Sequence, residues 1–142
     1  MPPHRFNKLF TRSEANDLIP SLERVVRDLQ HAAESLRRSI TEVSQDDPDA
    51  GSSGLAALVQ RYPQLRDPAA QMAAAIEKIE GLGCFLKDIE LGLVDIPCEL
   101  AENKVVFLCW QFGEPTILAW HPIEAGFAQR QALPGVNKQY LN

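Results

Sequence analysis

In the second half of this chain, Lys87, Asp88, Asp95, Glu114, His121 and Arg130 interrupt stretches that are otherwise apolar. Side chains of these types could do chemistry. Asp88, Asp95 and Glu114 flank short turns. Gathered at one end of a sheet, they could hold a hard divalent cation or act as an acid/base pair. Lys87 and Arg130 are the cations that would offset their mutual repulsion. The plainer role for turn carboxylates is to accept backbone N–H groups or to pair with Lys87. His121 precedes Pro122, and Glu124 follows three residues on. On one helical turn the two would share a side, and a His-x-x-Glu pair can ligate a metal. The plainer role for His121 is a ring hydrogen-bonded at a strand end. At ~3.3 Å per residue, His121 and Glu114 lie too far apart along one strand to share an ion. The carboxylates and the histidine are therefore expected at opposite ends of the sheet. A divalent metal ion is the cofactor that either set suggests.

Other chemistries find less support. The sequence contains no GxGxxG after a strand, no GxxxxGK[ST], no HExxH and no GxSxG. Cys84, Cys98 and Cys109 are odd in number and form no CxxC, which argues against a disulfide framework or a zinc ribbon. Cys109 with His121 could be a nucleophile and its base. Between Leu108 and Trp110, however, the thiol should be buried and inert. Trp110 and Trp120 read as core or interface anchors, since no cationic groove accompanies them.

The elements that must position these residues follow from period and breakers. Thr11 and Glu14 have capping-box spacing and open a first helix. Pro20 then starts a new helical segment or kinks a continuous one. Ile19, Leu22, Val26, Leu29, Ala33, Leu36, Ile40 and Val43 alternate spacings of three and four, the signature of a packed helical seam. The segment from Gln45 to Gly54 ends it with Asp, Pro, Gly and Ser. A second seam runs through Leu55, Leu58, Tyr62, Leu65, Ala69, Met72, Ile76 and Ile79. Pro63 and Pro68 lie inside it. They predict a short helix from about 55, an irregular step near 62–67 with Asp67 as N-cap, and a longer helix to about 80. Gly81 and Gly83 end that helix. From Cys84 the period changes. Segments 84–88, 93–97, 104–110 and 116–120 are rich in β-branched and aromatic residues and separated by short turns, which predicts an antiparallel meander.

The expected architecture is thus α+β in a single domain over 1–142. A long antiparallel helical hairpin spans about 11–82, and a small antiparallel β-meander with a C-terminal arm spans about 84–142. The run from Val105 to Trp110 is apolar on both faces, so both faces of its strand must be covered. A helical hairpin covers one. The arm after His121, or a second copy of the chain, must cover the other, and a homodimer is expected on that ground.

FTRSEANDLIP (Phe10–Pro20), GCFLKDIELGLVDIP (Gly83–Pro97) and VFLCWQFGEPTILAWHPIEAGFAQRQAL (Val106–Leu133) resemble a bacterial family known as domain of unknown function 2203. The blocks bracket nearly the whole chain. The resemblance implies a prokaryotic cytosolic protein and carries no catalytic assignment. Ile96 stands where the family pattern implies an aromatic, and Pro63 and Pro68 break what it implies is a smoother second helix.

The net charge of −5 is spread through the chain with no basic patch, which speaks against a nucleic-acid partner. The longest apolar run is far short of a membrane span, and the N-terminus lacks a signal-peptide core. A cytoplasmic location is expected. Two functions remain: a dimeric binding or interaction module, and a metal- or ligand-dependent enzyme using the acidic residues and histidine of the sheet half.

Overall fold

A computed structural model describes residues 6–136. The capping box forms: Glu14 N–H donates to Thr11 Oγ1 and Thr11 N–H to Glu14 Oε1, opening α1 (Arg12–Asp17). The first helix ends at Leu18, and α2 (Ile19–Asp46) begins with Pro20 in its first turn, where the missing N–H is no loss. Its buried stripe is Ile19, Leu22, Val26, Leu29, Ala32, Leu36 and Val43. Ala32 takes the place expected of Ala33.

The second arm is shorter and broken. α3 (Leu55–Arg61) is followed by a 3-10 turn at Pro63–Leu65 and by α4 (Arg66–Gly81). The step falls where the prolines predict it, because Pro63 has no N–H to continue α3; α4 has 16 residues against 28 in α2, so the expected hairpin of two long helices is not what forms. α4 starts before Asp67, which lies in its first turn and does not cap it. The amino-terminal half of α2 packs in one core with Ala75 and Ile79. Its carboxyl-terminal half packs in a second core with Leu58 and Leu65.

The sheet is an antiparallel meander in the order β1-β2-β3-β4-β5. Its strands are β1 (Phe85–Asp88), β2 (Leu93–Ala101), β3 (Lys104–Gln111), β4 (Ala119–Pro122) and β5 (Gln131–Ala132). Side chains alternate between faces. Val94, Ile96, Cys98, Val106, Leu108 and Trp110 join the helices' core. Leu93, Asp95, Pro97, Phe107, Cys109 and His121 therefore face the other way. Pro97 is tolerated in the middle of β2 because its carbonyl accepts from Phe10 N–H. Its missing N–H points to that same side, away from the β3 ladder.

Two loop contacts fix the sheet on the helices. Gln30 Nε2 donates to the carbonyls of Ile89 and Glu90 in the β1–β2 turn. Asn16 Oδ1 accepts from Ile117 N–H at 2.7 Å and from Thr116 Oγ1 in the β3–β4 connector. Gly92 has φ +67°, and a Cβ there would lie 2.5 Å from Phe112 Cβ. No helix among the described residues is long and apolar enough to cross a membrane.

Candidate functional site

The second sheet face carries the site. Register places Asp95 opposite Cys109, and Cys109 opposite Ala119. His121 lies two residues along β4 from Ala119, so it points to the same face. Cys109 is small, and Asp95 and His121 meet beside it: His121 Nε2 is 3.0 Å from Asp95 Oδ2. Both residues are 2 % exposed. The other ring nitrogen, Nδ1, is 2.8 Å from Pro122 O. A carbonyl only accepts, so Nδ1 carries a hydrogen, and a single proton then bridges Nε2 and the carboxylate. Wherever that proton sits, the pair has no net charge.

Burial pushes the Asp95 carboxyl above the ordinary range, and the His121 bond and the charges of His121 and Lys87 only partly offset this. Lys87 Nζ is 4.0 Å from Asp95 Oδ2 and lies over the Phe107 ring, with its side chain 48 % exposed. Burial also pushes the Cys109 thiol up to about 12, reinforced by the Asp95 charge and opposed by Arg130. A thiol so protonated at neutral pH is no nucleophile.

The C-terminal arm closes over this face. After β4 it turns through a 3-10 segment at Phe127–Gln129, and β5 pairs back on Ala119 and Trp120. The Arg130 guanidinium lies 4.2 Å from the Phe127 ring centroid, and its side chain is only 6 % exposed. Phe6 covers the neighbouring part, edge-on to Phe85 and Phe107. A cavity of about 260 Å³ remains, bounded by Lys87, Asp88, Asp95, Cys109, His121 and the Ala125–Phe127 stretch. A larger groove of about 410 Å³ between α2 and α4 is lined by Asp28, His31, Gln71 and Lys78. These are exposed, solvated groups. The buried polar pair makes the smaller cavity the better candidate.

The expected carboxylate cluster resolves differently. Asp88 Oδ1 accepts from Leu91 N–H at 2.8 Å, and Glu114 Oε1 from Gln111 N–H at 2.8 Å, so each caps its own turn. Arg130 lies 3.9 Å from Glu114 Oε2. Burial raises the Glu114 carboxyl, against the Gln111 bond and the Arg130 charge. Among the described residues, the group of potential metal ligands is Asp95, Cys109 and His121, without Asp88 or Glu114. Glu124 is exposed while His121 is buried, and both His121 nitrogens are engaged elsewhere.

The expected separation of carboxylates and histidine does not hold, for two reasons of register. β2 extends to Ala101, so Asp95 lies within the paired sheet and not only at a turn. β4 starts at Ala119 instead of Thr116, which carries His121 back along β3 to Phe107. Cys109 and the arm residues Gly126 and Phe127 were not expected in the site. Parity could have found Cys109: if Val94, Ile96 and Cys98 face the helices, Asp95 faces away, and its cross-strand partner does too.

Compared with known families, residues 8–133 match the model of an uncharacterised conserved protein, DUF2203. No curated protein and no solved structure matches the chain.

Proposed function

We propose that this chain, which belongs to the uncharacterised conserved family DUF2203, is a binding module whose ligand site is the polar cavity on the second face of its sheet. The observation that carries this reading is the buried Asp95–His121 pair opening onto that cavity beside Lys87. Burying two ionisable groups costs free energy unless they satisfy each other, and a pair serving only the fold need not border a void. A small polar ligand fits, with hydrogen-bonding groups toward Lys87 and Asp95 and an apolar part against Leu93 and Phe127.

Binding goes ahead of catalysis on two grounds. The His121 nitrogens are both engaged, which leaves neither facing the cavity as a general base. The Cys109 thiol is held protonated. Thermal melting of the purified protein against a set of small polar metabolites tests the proposal. Compounds should raise the melting temperature of the wild type and lose that effect in Lys87→Ala or His121→Gln. Shifts that persist in both variants would place the binding elsewhere.

The reading keeps the chain cytoplasmic and bacterial, supported by the resemblance of its strand blocks to a bacterial family. It also keeps a homodimer. Support for a second copy is narrower than the doubly apolar β3 suggests, because Phe6 and the arm cover the second face within one chain. Trp110, moreover, is buried in the helices' core. What supports a partner surface is the exposed Phe85 and Leu91 on the β1 side. β1 is short, bulged and carries Lys87, features that blunt strand addition, so the contact would run through side chains.

A further inference from the structure

We propose that Asp95, Cys109 and His121 form a binding site for one divalent transition-metal ion, zinc by the chemistry of the donor set. Each side chain offers one ligand atom, a carboxylate oxygen, a sulfur and a ring nitrogen, and these lie within 4.8 Å of one another, all buried. A tetrahedral ion with bonds of about 2.0–2.3 Å sets its donors roughly 3.3–3.6 Å apart. The Asp95–His121 contact of 3.0 Å needs to open by only a few tenths of an ångström. The three ligands stand on β2, β3 and β4, adjacent strands whose register is fixed by the ladder.

The histidine is already oriented for this role. Its Nδ1–H donates to Pro122 O, which leaves Nε2 as the nitrogen aimed at Asp95. Metal-bound histidines characteristically hold their second nitrogen on a carbonyl or carboxylate in this way. Charge selects the valence. Without an ion, the Asp95–His121 pair is neutral and the thiol is neutral. A divalent ion displaces the shared proton of the pair and the proton of Cys109 Sγ, and both pass to solvent. Carboxylate, thiolate and neutral imidazole then balance the ion, so the buried site stays at zero net charge. A monovalent or trivalent ion would leave a charge in the interior.

This inference shares its cavity with the proposed ligand site but does not depend on it. The test is titration of the purified full chain, stripped with chelator, with cobalt(II) as the spectroscopic stand-in for zinc and then with zinc itself. One equivalent of cobalt should produce a thiolate-to-metal charge-transfer band. Zinc should bleach the band by displacing cobalt; added to the metal-free chain, it should release two protons per ion and raise the melting temperature in a chelator-reversible way. Cys109→Ser and His121→Gln should each weaken the metal by more than about tenfold. Circular dichroism checks the fold of each variant, and Cys84→Ser should keep the band. A wild type that shows no charge-transfer band at one equivalent overturns the proposal, whatever the variants do. So does a band that survives in folded Cys109→Ser. If the band is absent while polar ligands still stabilise the protein in a Lys87-dependent manner, the metal site fails and the ligand cavity stands. If the band appears and no polar ligand stabilises the protein, the reverse holds.

Discussion

Asp95 and His121 satisfy each other, and substitutions should show the asymmetry this creates. Asp95→Asn can still donate from its amide to His121 Nε2, so it should change stability by less than about 1 kcal/mol. His121→Ala leaves the buried Asp95 oxygen without its partner and should cost about 3 kcal/mol. Urea unfolding of both variants, metal-free, reads the difference, and equal effects would show that the bond does not organise the face. Cys109 should resist thiol reagents in the native protein and react with Cys84 and Cys98 in denaturant, since burial holds its thiol near 12. Rapid native labelling would mean that the arm opens. Glu114 sets a pH dependence. Its carboxyl is raised in the folded state, so its contribution to stability is full below the unfolded value and lost as pH rises through the folded one. The stability of the wild type relative to Glu114→Gln should therefore fall as pH rises above the ordinary glutamate range. A difference that grew with pH would mean that Arg130 holds the carboxylate ionised. At this scale the sequence disclosed which residues were out of place in apolar strands, but not that two of them touch. That contact depends on where β2 ends and β4 begins, and strand ends carry the weakest pattern.

At the scale of elements, the meander was legible because its connectors are short and its segments β-branched, and all five strands follow chain order. β5 was not legible, since two residues, Gln131 and Ala132, hold no period. The helices were legible in their bounds and less so in their caps. The seam of α2 formed nearly as spaced, and the second seam kept its register in Leu58, Leu65 and Ile79 and broke at Pro63, where the missing N–H predicts a step. Asp67 was misplaced as an N-cap because α4 begins at Arg66. The turn between β1 and β2 carries the sharpest local requirement. Gly92→Ala combines a left-handed φ with a Cβ 2.5 Å from Phe112, and should cost about 2 kcal/mol or more by chemical denaturation. A neutral result would mean that this turn shifts freely, and with it the Asp88 cap on Leu91.

For the whole molecule, the decisive feature is that one chain covers both faces of its sheet, helices on one and Phe6 with the arm on the other. Sequence posed the second cover as the arm or a partner copy and could not choose, because residues 123–130 show neither helical nor strand period. Light scattering coupled to gel filtration should give twice the 15.8 kDa chain mass if Phe85 and Leu91 meet a second copy, and Phe85→Glu should halve it. A monomer at high micromolar concentration removes the partner and leaves the covered face intact. Amide NMR spectra of the protein with mixtures of small polar compounds locate the binding surface. Binding on the covered face should shift Asp95, Cys109, Gly126 and Phe127 together; shifts confined to the groove around Val25, Gln71 and Lys78, with those four residues silent, would place it elsewhere.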